Sequence, residues 1–138
     1  MGDPATQTVV ATRPQAWSCS FPAIADQVKE ARRCLAPLLD GFPPADDALL
    51  CLSELVSNAI LHSNSARPAG QFTIHATLGS GMLRVEVTDA GGPWKQHDQH
   101  CNGYGGRGFV IVDALTRAWG ITGDGITSRT IWFEIAAS

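Results

Sequence analysis

Two runs of strict alternation, separated by a glycine-rich break, constrain this chain most. Phe72, Ile74, Ala76 and Leu78 alternate with Thr73, His75 and Thr77; beyond Gly79-Ser80-Gly81, Leu83, Val85 and Val87 alternate with Arg84, Glu86 and Thr88. Successive side chains of a strand point to opposite faces, so a period of two gives each run one apolar and one polar face. Gly79-Ser80-Gly81 supplies the positive-φ positions of a short hairpin loop between them. A sheet that is apolar on one face has to bury that face against another layer.

Helices supply the layer. From Ile24, the apolar positions Ile24, Val28, Ala31, Leu35 and Leu38 recur at spacings of four and three, one face of a helix that Pro37 should end or kink. Pro43 and Pro44 form a connector, and Asp46 and Asp47 put negative charge where the dipole of the next helix is positive. That second helix is expected from about Ala45 to His62. A third, Arg107 to Ala118, should bury Phe109, Val112 and Leu115 after an irregular, glycine-rich loop from Ala90 to Gly106. Thr8 to Phe21 reads as two short strands broken near Pro14. Trp119 to Thr122 and Thr127 to Ile135 read as two more, joined by a turn at Asp124-Gly125. The expected fold is α+β, a two-layer sandwich with helices on one face of a largely antiparallel mixed sheet.

The 138 residues suit one domain, residues 1–138. With 44% hydrophobic and 17% charged residues and a net charge of -3, the composition is neither that of a disordered acidic tail nor that of a basic nucleic-acid binder, so no direct nucleic-acid partner is expected. No apolar run reaches the ~20 residues of a membrane helix, and Met1 to Thr12 lacks a secretory pattern, so the expected location is the cytoplasm. Cys19, Cys34, Cys51 and Cys101 lie far apart, with neither disulfide-framework nor zinc-ribbon spacing, and read as reduced thiols.

The chemistry concentrates in three places. Between Ala48 and His62 there is one charged residue, Glu54, and Glu54, Asn58 and His62 follow at intervals of four, a polar stripe about 12 Å long. Leu49, Leu52, Leu55, Val56 and Ala59 form the main apolar face, while Leu50 and Leu61 lie on the far side of the stripe. The stripe is either the ordinary polar edge of a core helix or a cleft wall where carboxylate, carboxamide and imidazole meet one ligand, a set suited to a hydrated divalent metal or to activating a hydroxyl. Asp89 ends an alternating strand just before Gly91, Gly92 and Pro93. Such a carboxylate either forms the turn or accepts a hydrogen bond from a ligand amine. Gly103-Tyr104-Gly105-Gly106-Arg107-Gly108 follows a polar loop and not a strand, which removes the dinucleotide-fold context; what remains is a glycine loop opening onto a helix N-terminus, with Arg107 at hand for a phosphate. His97, His100 and Cys101 lack a fourth zinc ligand at suitable spacing, and no nucleophile-elbow motif surrounds Ser57.

In order, Glu54-Leu55-Val56-Ser57-Asn58, Asp89-Ala90-Gly91 and Gly106-Arg107-Gly108-Phe109 resemble the N, G1 and G2 boxes of the gyrase, heat-shock chaperone, histidine kinase and mismatch-repair (GHKL) ATPases, over about Ala45 to Ile135. Ser53 to His62 looks most like the anti-sigma factor serine/threonine kinases. The resemblance implies a Bergerat-type ATP fold with a lid between Asp89 and Gly108. It implies Mg²⁺ on Asn58, the adenine amine on Asp89, close passage of the base at Gly91, phosphates along Gly106 and Gly108, Glu54 as general base and Thr130 near the adenine site. The chain departs from the family pattern at Pro93, where a glycine is usual, and at Arg107, where many relatives are apolar.

The function implied is that of an ATP and Mg²⁺-binding regulator that phosphorylates a serine of an anti-anti-sigma (STAS-type) partner, with a homodimer favoured. Two rivals stay open. One is a nucleotide-binding module that only sequesters a sigma factor, and the other is a metal-dependent hydrolase using Glu54 and His62.

Overall fold

The computed structural model describes residues 15–62, 70–91, 103–124 and 128–138. Five strands, β1 (Gln15–Pro22), β2 (Gln71–Gly79), β3 (Met82–Asp89), β4 (Ala118–Thr122) and β5 (Arg129–Ala136), form one sheet in the order β1-β2-β3-β5-β4. Each neighbouring pair is antiparallel, so the sheet is not mixed. Helices α1 (Gln27–Leu35), α2 (Ala45–His62) and α3 (Gly103–Leu115) complete the α+β fold.

The alternation resolves as the period of two requires. Phe72, Ile74 and Ala76 of β2 and Leu83, Val85 and Val87 of β3 are buried, with Ile74 opposite Val87 and Ala76 opposite Val85. Gly79 pairs with Met82, which leaves Ser80 and Gly81 as a two-residue loop. Both are left-handed, φ 55° and 76°, as the twist of a type I′ hairpin demands. Phe21 of β1 stacks on Phe72 at 5.5 Å. Only one strand is described in the early segment; the expected strand before Gln15 lies outside the described residues.

Helix α1 begins three residues later than the apolar spacing suggests. Ile24 sits in a turn after Pro22, its amide bonded to the Pro22 carbonyl at 2.9 Å, and is 54% exposed, whereas Ala31 and Leu35 are buried. Pro37 follows the end of α1 at Leu35, the stop expected of it, without halting the helical winding. It falls in the first turn of a 3-10 segment, Ala36–Leu39, where a missing amide hydrogen leaves no bond unmade. Leu39 and Phe42 are then buried under the connector.

Helix α2 spans Ala45–His62, the expected bounds, with Asp46 and Asp47 in its first turn. Ala48, Cys51, Leu52, Leu55, Val56 and Ala59 are buried, while Leu50 and Leu61 are 40% and 58% exposed, on the far side of the stripe as their spacing predicts. Truncating Leu52 or Leu55 to Ala in such a core costs about 2–5 kcal/mol. The Cys51 thiol is pushed up to about 12, by burial first and then by Asp47 and Glu54. Cys19 and Cys34 are also free thiols; Cys101 lies outside the described residues.

Helix α3 starts at Gly103, inside the stretch expected to be loop, and ends at Leu115 instead of Ala118. Glycine lowers helix propensity by only ~1 kcal/mol per residue, and Gly103 to Gly106 contains no proline to break the hydrogen-bond ladder. At the other end, the Arg117 amide donates to the Glu134 carbonyl at 2.7 Å and draws the chain into the sheet before a further turn can form. Val112 is buried, and Phe109 stacks on Trp119 of β4 at 4.8 Å, whose indole Nε1 donates to Asp113 at 3.0 Å. Gly125 of the expected late turn lies outside the described residues, as do 92–100. Among the described residues, no helix is long and apolar enough to cross a membrane.

Candidate functional site

Among the described residues, three polar or charged side chains are buried: Asn58 (9% exposed), Asp89 (4%) and Arg129 (2%). One comes from α2, one from the end of β3 and one from the start of β5. Burying a polar group without a hydrogen bond costs about 1–3 kcal/mol. Such groups therefore mark where packing alone does not explain the sequence.

Asn58 is on the stripe of α2, one turn beyond the half-buried Glu54. Its Oδ1 is buried with no hydrogen-bond partner among the described residues. A carboxamide oxygen is a hard, neutral donor of the kind that Mg²⁺ accepts. The orphaned atom thus fits the ion implied for this position. Helix α2 also carries His62 at its last residue, but that side chain is not among the described ones.

Asp89 terminates β3, and its two oxygens are engaged differently. Oδ1 accepts the Gly91 amide at 2.7 Å, and Oδ2 accepts from Nη2 of Arg129 at 3.4 Å. Gly91 has φ 71°, a left-handed conformation in which a Cβ would be strained, so the chain turns back onto the carboxylate here because the residue is glycine. Of the two alternatives for a strand-end aspartate, the turn is made by Oδ1, and each oxygen keeps a further lone pair. Burial pushes the Asp89 carboxyl above its ordinary range, while the Gly91 amide and the Arg129 guanidinium pull it back.

Thr130 is one residue away from this arrangement and faces the other way. It is opposite Thr88, and the two hydroxyls bond at 2.7 Å on the outer surface of the sheet. Asp89 is opposite Arg129, on the helix-covered surface. The structure therefore does not bring Thr130 to Asp89; the period of two places Arg129 there instead. Sequence reading passed over Arg129, although the signal was present. It shares its phase with Ile131, Phe133 and Ile135, all buried, and a charged residue in a core phase calls for an opposite charge.

Gly106, Arg107 and Gly108 are the fourth to sixth residues of α3; a helix leaves free only the amides of its first turn, which here reaches Gly106 and not Arg107 or Gly108, and their side chains are outside the described residues. His97, His100, Cys101 and Pro93 are outside them as well. Among the described residues, no group of three or more His, Cys, Asp and Glu side chains could hold a metal.

The sequence pattern of the histidine kinase-like ATPase domain matches residues 21–132, and so takes in Glu54, Asn58, Asp89, the glycine segment and Arg129. The chain belongs to the histidine kinase-like ATPase family. No curated protein matches it in sequence. The fold of this ATPase domain recurs in the RsbU and RsbW domains of Rv1364c from Mycobacterium tuberculosis, with a TM-score of 0.68 at 18% identity over 88% of the chain. The match covers 32% of that solved chain. It recurs in the SiaB–SiaC complex from Pseudomonas aeruginosa, with a TM-score of 0.61 at 11% identity over 96% of this chain and 95% of that one. The Acinetobacter baumannii histidine kinase AdeS gives a TM-score of 0.53 at 18% identity over 97% of this chain and 73% of that one. At these identities the likeness concerns the fold.

Proposed function

We propose that this histidine kinase-like ATPase domain binds ATP with Mg²⁺ and transfers the γ-phosphoryl group to a serine or threonine of a small anti-anti-sigma (STAS-type) partner. The observation that carries the reading is the orphaned, buried Asn58 oxygen one helical turn from Glu54, in a family whose domain is an ATPase. Likeness in fold to RsbW domains, and to a protein solved in complex with a second one, supports a protein substrate.

In this reading Asp89 accepts a hydrogen from the adenine amine, Gly91 lets the base lie close to the backbone, and Gly106, Arg107 and Gly108 face the phosphates. Mg²⁺ held by Asn58 would neutralise charge on the phosphate oxygens. Glu54 takes the proton of the attacking hydroxyl as the new O–P bond forms and the bond to the leaving ADP oxygen breaks. Positioning and charge stabilisation supply most of the catalysis in such transfers.

The test has two steps. ATP with Mg²⁺ at 100 times its dissociation constant should stabilise the fold by about 2.7 kcal/mol, read as a rise in melting temperature. Glu54→Gln should keep ATP affinity within a few-fold and lose label transfer from ATP to the partner by about 10²-fold or more. A wild type that binds the partner tightly and transfers no label would leave sequestration as the function. A wild type that binds no nucleotide would end the reading.

A further inference from the structure

Arg129 invites a question that the family match does not answer. A buried ion pair is no better for stability than well-packed apolar residues of similar volume, and often worse. The three residues after it on the same face, Ile131, Phe133 and Ile135, show that apolar side chains fit this surface of β5. Yet at the rung where β3 ends, the chain spends a guanidinium, 2% exposed, on a carboxylate that is 1% exposed. The pairing is direct across the ladder, Asp89 opposite Arg129.

The geometry of the contact is specific. A charge-assisted hydrogen bond in a tight fork runs about 2.7–2.9 Å and engages two nitrogens with two oxygens. Here a single nitrogen, Nη2, approaches a single oxygen, Oδ2, at 3.4 Å, while the other oxygen is taken by the Gly91 amide at 2.7 Å. The carboxylate is held from two sides but not consumed. Its rotation about the Cβ–Cγ bond is fixed, and each oxygen keeps a lone pair.

Resting on the nucleotide reading above, we propose that Arg129 is a positioning residue for base selection: from the facing strand it orients the Asp89 carboxylate so that its free lone pairs meet an exocyclic amine. An amine at that position of a purine donates to the carboxylate, and adenine has one there. Guanine carries a carbonyl oxygen at the same position, whose lone pairs oppose those of the carboxylate. A carboxylate that is free to turn away would discriminate less. Arg129 thus acts on the base through Asp89, and its contribution appears in the ratio of ATP to GTP affinity.

The experiment is calorimetry on the full chain with ATP–Mg, GTP–Mg and tripolyphosphate–Mg, the last as a probe with no base. Arg129→Met, which keeps length and removes the donors, should lower ATP affinity by about tenfold or more, the scale of one hydrogen bond to a charged group, and bring the ATP to GTP ratio toward one. Tripolyphosphate affinity should stay within about twofold of the wild type, because its contacts are made elsewhere. Arg129→Lys, which keeps the charge but loses the planar fork, should give an intermediate ratio. In an Asp89→Asn background, adding Arg129→Met should change ATP affinity by less than about twofold, since the group it acts through is already altered.

An equal fall for ATP and tripolyphosphate, or full additivity with Asp89→Asn, would overturn the proposal. If Arg129→Met does not fold, the ratio is read in Arg129→Lys, where a wild-type value would overturn it. The two levels separate cleanly. A wild type with no preference for ATP removes the nucleotide assignment of Asp89 and this proposal with it, whereas a wild type that prefers ATP while both Arg129 variants keep the same preference removes this proposal alone.

Discussion

Two neighbouring rungs of the β3–β5 ladder are one residue apart and chemically opposed. Thr88 and Thr130 face outward, half-buried, their hydroxyls 2.7 Å apart; Asp89 and Arg129 face the helices, buried, their charges bridged at 3.4 Å. The outer rung continues a row of hydroxyls, because Thr73 is opposite Thr88 and bonds Ser20 at 2.7 Å. Water can replace any partner in that row. At the inner rung both groups are buried away from water, and a single step in register separates a hydroxyl surface from a buried ion pair.

The largest effect should come from breaking the inner rung. Asp89→Ala removes the carboxylate and leaves the buried guanidinium without this counter-charge, which should destabilise the fold by about 3 kcal/mol or more in urea titration. Thr130→Ala, on the outer rung, should cost no more than ~1 kcal/mol. Equal costs would mean that the two rungs are not different environments.

Ligand binding sharpens the contrast. Thr130→Val removes the hydroxyl and keeps the shape, and because the side chain faces away from Asp89, ATP affinity by calorimetry should change by less than about twofold. A loss of about tenfold, the scale of a hydrogen bond to a charged group, would return Thr130 to the adenine site.

The smallest effect is one of pH. Burial raises the Asp89 carboxyl above its ordinary value of 3.8, so the folded chain keeps this proton to higher pH than the unfolded chain does. Between the two values the native state holds more protons, and stability from this group therefore falls as pH rises through that window and is level above it. Melting temperatures of wild type and Asp89→Asn, compared from about pH 3 to 6, should converge or cross in that sense; the other carboxylates cancel in the difference. A difference independent of pH would contradict the raised value.

Much of this was legible in the residues. Helix α2 could be bounded from Asp46 and Asp47 at its start and from the single charge in the stretch that follows, and the exposure of Leu50 and Leu61 followed from the helical period. Asn58 stood out on a polar stripe at intervals of four, and Asp89 as a carboxylate ending an alternating strand. The departures have separate causes. Glycines between 103 and 106 suggested loop, though their lower helix propensity does not prevent α3 from starting at Gly103. Ile24 suggested a helix face, though Pro22 had just ended a strand and forced a turn. Thr130 matched a family hydroxyl in type, while the count of two along β5 assigned the inward position to Arg129.

Cys51 has a consequence for how the molecule can be watched. Its thiol is buried in α2 and pushed up to about 12, so at neutral pH almost none of it is thiolate, the form that attacks alkylating reagents. Cys19 and Cys34 are half-buried. Among the described cysteines, an alkylating label would therefore reach those two in the native protein and mark Cys51 only when α2 lifts from the sheet, which makes this sulfur a clock for the opening of the helix that carries Glu54 and Asn58.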